Sequence, residues 1–382
     1  MKYLFFPIVL FATIGCNSQK KTYHFKLDSI NTYDVGKHTI RYSYKYPYLS
    51  FITRAVYKKK KVKGYNFEHI LTIVELPGFD TVYTLKKINL EWFEIWKVDK
   101  DTIFGFMGDG VPQKGPVWEY FKDIRFVKIL PTQGLVYDTL LFKANGQMGG
   151  IRHMEIINNK KKDYLMFYYD LRVHLIELPS LRYMGHTREI TLYPKSIYFN
   201  KNKLFVSIVD SRLAGHSNDL YIGEVNINNM QIEKMYPIFL DSVRNVYGVV
   251  GFSDKNNFIF TAGDGMFAHH IYAFYKKRYR VIFSFPDNTI PFITGGRIEH
   301  CNVFAASLGH PSSYYTYKIA FGILNRDSLV SLKELHLKGK ADFIYPAKFY
   351  KYKNKGILIF DVYNKKQKYD KLYIIGGSCL SQ

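Results

Sequence analysis

Three cysteines in 382 residues exclude a disulfide-rich scaffold, and no pair of them has zinc-ligand spacing. Sustained helical periodicity is nearly missing. Only Tyr120 to Val127 and Asp327 to Leu337 could hold a helical turn or two, and strand readings compete at both. Gly-x-Ser-x-Gly, a phosphate loop, a dinucleotide fingerprint, His-x-His and His-Glu-x-x-His are all absent. These absences remove the motif-defined enzymes but not those that assemble a site from distant segments. Acidic residues are also in deficit, 32 Asp and Glu against 54 Lys and Arg, for a net charge of +22. Such an excess raises nucleic acid as a partner, yet it is spread over the whole chain and no binding motif accompanies it, so we expect no nucleic acid.

What is plentiful is aromatic. Tyr and Phe number 33 and 30, and hydrophobic residues make up 47% of the chain, a composition that favours strands and a sizeable core. The stretch from Ile197 to Ile238 shows the pattern best. Ile197 to Phe199, Leu204 to Val209, Leu220 to Ile227 and Gln231 to Ile238 are four short strand-like runs separated by turns or loops.

Units of this kind recur. Leu76-Pro77 followed by Val82 to Leu85 matches Leu130-Pro131 followed by Val136 to Leu140, and Leu178-Pro179 continues the series less fully. Seven apolar runs begin at Leu49, Thr102, Tyr164, Leu204, Phe258, Val303 and Ile357, about 51 residues apart on average, in or near the range of propeller blades. Turns such as Asn158-Asn159-Lys160, Asn200-Lys201-Asn202, Lys255-Asn256-Asn257 and Lys353 to Gly356 precede them and read as hairpins between first and second strands. The expectation is an all-β chain, a β-propeller of four-stranded antiparallel blades, seven by this count, with six or eight still allowed. Tyr23 to Leu27 or Thr39 to Tyr44 is expected to lend a strand to the blade around Ile357 to Ile375, closing the ring and removing an exposed edge.

The N-terminus sets the compartment. Residues 1–15 combine Lys2, an apolar core from Tyr3 to Ile14 and a small residue before Cys16, and read as a signal peptide too short to span a bilayer. Thr13-Ile14-Gly15-Cys16 resembles the lipobox of bacterial lipoproteins, with Thr13 where Leu is usual; the resemblance implies cleavage before Cys16 and acylation of its thiol. Residues 16–22 would form a lipidated tether, and 23–382 a single propeller domain. The chain as a whole resembles the β-propeller lipoproteins of Bacteroidetes, many of unassigned function, which implies a fold and an address but no catalytic residues. Asn17 in place of an Asp retention signal implies the outer membrane, and the lack of an acidic run after Cys16 implies a periplasm-facing anchor. In an oxidising compartment Cys301 and Cys379 can form a disulfide, or remain two separate buried thiols.

Ligands of propellers gather on the face that carries the connections between second and third strands. Here these are Tyr57 to Asn66, Gly108 to Trp118, Ser211 to Asp219, Gly263 to His270, Gly309 to Tyr314 and Tyr363 to Asp370. Asp109 and Asp264, each in a Gly-Asp-Gly, could hold a cation or polarise a water, or simply shape a turn. His216, His269, His270 and His310 could bind metal or serve as structural or surface histidines; no metal site and no cofactor is expected. Arg152 and Arg297 follow Gly-Gly pairs that should introduce innermost strands, where they could grip a carboxylate, phosphate or acidic sugar, or pair with neighbouring acids. Lys58 to Lys61 form a solvated loop or rest on anionic headgroups near the tether. The expected function is a monomeric, lipid-anchored binding or scaffold module for a glycan, peptide or envelope protein. The alternative is a hydrolase or lyase acting on acidic glycans, with Asp109 or Asp264 and one histidine as base and acid.

Overall fold

A computed structural model of the chain describes residues 23–381 apart from 36–38, 56–67, 89, 111–120, 146–149, 152, 159–161, 191–196, 201–202, 211–218, 239–244, 255–256, 264–269, 276–277, 286–289, 299–300, 310–315, 325–328, 342, 345–347, 353–354 and 365–368. The described strands form seven sheets. Strand β1 (Tyr23–Val35) is set aside by the chain for the last of them. The first sheet is β2 (Thr39–Lys45), β3 (Tyr48–Ala55), β4 (Glu68–Glu75) and β5 (Asp80–Ile88), and the second is β6 (Leu90–Asp99), β7 (Thr102–Gly110), β8 (Phe121–Leu130) and β9 (Gly134–Lys143). The third holds β10 (His153–Asn158), β11 (Asp163–Tyr169), β12 (Arg172–Leu178) and β13 (Arg182–His186). The fourth holds β14 (Ile197–Asn200), β15 (Lys203–Asp210), β16 (Asp219–Asn226) and β17 (Gln231–Pro237). The fifth is β18 (Asn245–Asp254), β19 (Asn257–Gly263), β20 (His270–Tyr275) and β21 (Arg278–Ser284), and the sixth β22 (Ile290–Ile298), β23 (Cys301–Gly309), β24 (Thr316–Leu324) and β25 (Leu329–Ala341).

The seventh sheet joins both ends of the chain. Two short pieces, β26 (Phe343–Ile344) and β27 (Lys348–Tyr352), share its innermost position against β28 (Lys355–Asn364). Then comes β29 (Tyr369–Ser381), and β1 pairs antiparallel with β29 on the outside, from Tyr23 opposite Ser381 to Val35 opposite Asp370. Of the two segments expected to close the ring, the one starting at Tyr23 does so, while Thr39 to Tyr44 is the innermost strand of the first sheet.

Each apolar run singled out in the sequence is the second strand of a different sheet, from β3 to β28. Such strands are buried on both faces, so they lose the usual alternation and read as continuous apolar stretches. On β7, Phe104 and Phe106 turn toward the third sheet with Trp96, Leu165 and Phe167, while Ile103 and Met107 turn toward the first with Ile52, Leu71 and Ile73. The remaining clusters likewise sit between consecutive sheets: Met166 with Val206, Ile259 with Phe304, and Phe51 with Ile359 across the closure. Each buried Phe or Leu of this kind contributes about 1.5–3 kcal/mol from removal of its surface from water. The Leu-Pro repeats occupy the turns between third and fourth strands. The two stretches with a competing helical reading are strands β8 and β25.

Gly105 and Gly322 show how tightly the aromatics fit. A Cβ on Gly105 would lie 2.9 Å from the Glu94 carbonyl oxygen and 3.0 Å from the Phe93 ring, and one on Gly322 would lie 2.1 Å from the Phe304 ring. The absent side chains are the space those rings use.

Candidate functional site

Strand order gives the molecule two unlike rims. At one end of each sheet lies the hairpin from first to second strand and, in the first six sheets, the one from third to fourth, each two to four residues long. At the other end lie the connections from second to third strand and the steps to the next sheet, which reach residues 56–67, 111–120, 144–152 and 187–196. We call these the turn rim and the connection rim. Not every connection on that rim is long: only Asp170 and Leu171 join β11 to β12, and a single residue separates β5 from β6 and β25 from β26. Loops carry no fold constraint of their own, so length on one rim and brevity on the other is where variable chemistry can be carried.

Among described residues, a charged cluster marks the connection rim between the first two sheets. Asp109 is in strand β7, not in a loop as expected; it pairs in register with Asp123 on β8. Like charges directly opposite one another destabilise a sheet. Lys87, at the end of β5, offsets the pair by donating from Nζ to Asp109 Oδ2 at 2.8 Å. Arg125 on β8 donates from Nε to Asp138 Oδ1 at 2.6 Å, and this bond, followed by the charges of Asp138, Asp109 and Asp123, holds the guanidinium above its ordinary pKa. The remaining oxygens, Oδ1 of Asp109 and of Asp123, are buried without a hydrogen-bond partner among the described residues. Asp109 as a whole keeps 23% of its side chain exposed, and an ionised carboxylate accepts hydrogen bonds without donating any.

A second cluster lies at the axis. Tyr350 on β27 donates from its hydroxyl to the Tyr42 carbonyl of β2 at 2.9 Å. Burial raises its pKa well above the ordinary phenol, and the charges of Glu94 on β6 and Glu155 on β10 raise it further. Tyr350 and these glutamates belong to the seventh, second and third sheets, so their innermost strands bring them together around the common centre. Glu94 is buried and Glu155 exposed. The sequence reading missed these residues. Their signal was the Glu-Ile pair repeated in successive innermost strands, Glu94-Ile95 and Glu155-Ile156.

The third sheet holds an aromatic nest around His174. Tyr183 donates from its hydroxyl to His174 Nδ1 at 2.8 Å, and His174 Nε2 faces the Tyr169 carbonyl at 3.1 Å. Phe167 stacks on the imidazole at 4.9 Å, and Phe142 packs against it from the second sheet at 5.5 Å. Burial is the main force holding its pKa down, to about 4. The imidazole is therefore neutral near pH 7 and acts as a fixed hydrogen-bonding support for Tyr183.

The other expected residues are placed as follows. His216, Asp264, His269 and His310 lie outside the described residues, as does Arg152, which falls between Ile151 and the start of β10. His270 is the first residue of β20, its Nδ1 3.0 Å from Ser284 Oγ. Arg297 does not introduce an innermost strand: it is the penultimate residue of β22, paired with Asn302 beside the hairpin to β23. It therefore belongs to the turn rim, at the end of an innermost strand roughly 30 Å long at about 3.3 Å per residue. Cys301 is buried and disulfide-bonded, and Cys379, its expected partner, lies on β29. No group of three or more His, Cys, Asp or Glu side chains among the described residues is placed to hold a metal ion.

No known protein family and no curated protein matches the sequence. Solved structures do. The chain is similar to the Dos1 propeller at 7% identity, over 90% of this chain and 93% of that one, with a TM-score of 0.52. It is similar to the β-propeller domain of the Trilobed protease from Pyrococcus furiosus at 12% identity, over 90% and 94% of the two chains, with a TM-score of 0.52. That domain is described as having an open velcro topology, whereas here β1 fastens onto β29. Identities this low speak for the fold alone, and together with seven antiparallel sheets packed face to face they make this chain a β-propeller.

Proposed function

We propose that this propeller is a lipid-anchored binding or scaffold module of the cell envelope, and that it captures a glycan, peptide or protein partner on its connection rim. The observation that carries the reading is the inequality of the two rims. The hairpins of one are trimmed to two to four residues while the connections of the other extend to residues 56–67 and 111–120. A scaffold with no recognition role has no need to concentrate chain length at one end. The Asp109 carboxylate stands there, 23% exposed, beside Asp123 and Lys87. A carboxylate of this kind suits the hydroxyl donors of a sugar or the ammonium groups of a basic peptide. The lipobox-like Thr13-Ile14-Gly15-Cys16 supports an anchor at the outer membrane, facing the periplasm.

A photo-crosslinker placed at Lys122 or Lys143, exposed on the connection rim, is compared in intact cells with one at Lys203 on the turn rim. Adducts of defined composition from the first two positions, and not from the third, are expected. Equal yields from both rims would sink the reading. The second reading, a hydrolase or lyase on acidic glycans, draws on the Asp109 and Asp123 pair, and turnover abolished by D109N with ligand capture intact would favour it.

A further inference from the structure

A row of side chains crosses the second sheet from its innermost strand to its outermost. Lys97 on β6 lies opposite Phe104 on β7, Phe104 opposite Lys128 on β8, and Lys128 opposite Tyr137 on β9. Directly opposed residues share a face, so the whole row stands on one side of the sheet. That side is turned toward the third sheet, because Phe104 packs there with Trp96, Phe126 and Leu165. Each member lies two or three residues from the hairpin end of its strand, in the half of the sheet nearer the turn rim.

Cation and ring alternate along the row. Lys97 Nζ stands 5.9 Å from the centre of the Phe104 ring, and Lys128 Nζ stands 5.7 Å from Phe104 and 5.1 Å from Tyr137. Neighbouring rings fix the two aromatics in place: Trp96 meets Phe104 edge-on at 6.4 Å, while Phe126 stacks on Phe104 at 6.3 Å and meets Tyr137 at 6.1 Å. Tyr137 keeps 46% of its surface exposed, and Phe104 and Lys128 are partly buried.

The carboxylates at this edge are engaged elsewhere. Asp99 accepts from Lys97 at 2.9 Å, and Asp163 of the facing sheet accepts from the Trp96 indole at 2.9 Å. Asp138 accepts from Arg125 on the opposite face, and Asp101 lies by Tyr48 of the first sheet. Lys128 pairs with no carboxylate among the described residues; its ammonium rests between two rings. A ring face attracts an ammonium through its quadrupole and leaves the N–H donors open to a stronger acceptor.

We propose that this row is a binding site for an acidic sugar, with the apolar face of a pyranose against Tyr137 and its carboxylate or sulfate on Lys128 Nζ. Adjacent strands lie about 4.8 Å apart, so one sugar unit spans the step from Tyr137 to Lys128. The charge-assisted bond to the ammonium is the strong contact, and the exposed phenol ring is the apolar platform beside it. Phe104 and Lys97 repeat the ring and the cation further in, at a weaker position because Asp99 already holds Lys97. The site lies away from the connection rim and does not depend on what that rim captures.

The test is isothermal titration of the full chain with hexagalacturonate, with its methyl ester, which keeps the rings and loses the charge, and with a sulfated galactan hexasaccharide. Binding of at least one acid form in preference to the ester is expected. K128Q should weaken that binding about tenfold, and K128R should restore most of it. Y137A should weaken it about fivefold, whereas Y137F, which keeps the ring, should not. K143Q, at the far end of β9, should change nothing. If Y137A loses its far-UV β spectrum, K128Q and K128R decide. No preference for an acid form, an unchanged affinity in K128Q, or equal losses in K128Q and K143Q overturns the proposal, as does capture of a single-stranded oligonucleotide in place of the sugars. Failure of cross-linking at Lys122 and Lys143 would sink the connection-rim reading and leave this site standing.

Discussion

The Tyr183 hydroxyl donates to His174 Nδ1 at 2.8 Å, tying an exposed ring on an outer strand to an imidazole that is 5% exposed. The pKa of His174 is depressed to about 4, whereas an unfolded histidine titrates near 6.5. The unfolded chain therefore binds the extra proton first as pH falls. Stability is full above about pH 6.5 and declines between there and about pH 4, by up to about 3 kcal/mol from this group. Urea midpoints measured across that range should slope downward toward acid, and H174Q should flatten the slope. An unchanged slope in the variant would assign the acid sensitivity elsewhere.

Phe304 and Gly322 are cross-strand partners, and the ring occupies the volume a side chain at Gly322 would need. G322A should destabilise the protein by about 1–3 kcal/mol, the usual cost of overpacking a tight core. F304L in the same chain should recover part of that loss. Additive losses in the double variant would show that the two positions do not share the space.

Removing residues 23–35 deletes β1 and leaves β29 as an uncovered edge. An unpaired strand of that length is a template for pairing with another chain. The truncated chain is expected to aggregate and to melt earlier by differential scanning fluorimetry. A soluble monomer with an unchanged melting temperature would mean that closure adds nothing to the fold.

Cys301 is disulfide-bonded and sits where β23 begins on the turn rim, and Cys379 lies three residues from the end of the chain on the same rim. A peptide map under non-reducing conditions should link the two. C301S and C379S should each lower stability by about 2–4 kcal/mol, and the double variant should lose no more than either alone. Unequal single losses would point to a different partner.

The four strands of the fourth sheet were visible in the sequence to within a few residues, because Asn-Lys-Asn and Asn-Asn turns punctuate runs of β-branched and aromatic side chains. The closing strand at Tyr23 was visible too, since an unpaired strand at one end needs a partner at the other. Site residues were harder to read. Asp109 looked like a loop residue because Gly-Asp-Gly is a turn sequence, yet β7 runs on through it, with Leu90 and Asp123 on either side. Arg297 looked like the start of a strand for the same reason and lies near the end of one. Glu94, Glu155 and Tyr350 escaped notice because nothing local marks the axis; they meet only when strands from three sheets converge.

The ladder between β1 and β29 also decides how the protein bears load. A pull on the chain ahead of Tyr23 acts along the axis of β1, at right angles to its hydrogen bonds with β29. Force applied that way is shared by the whole register from Tyr23 to Val35 instead of opening one pair at a time. Tension on the N-terminal end would then be resisted in shear, so the seam that closes the ring is also a mechanically strong attachment for whatever pulls on that end.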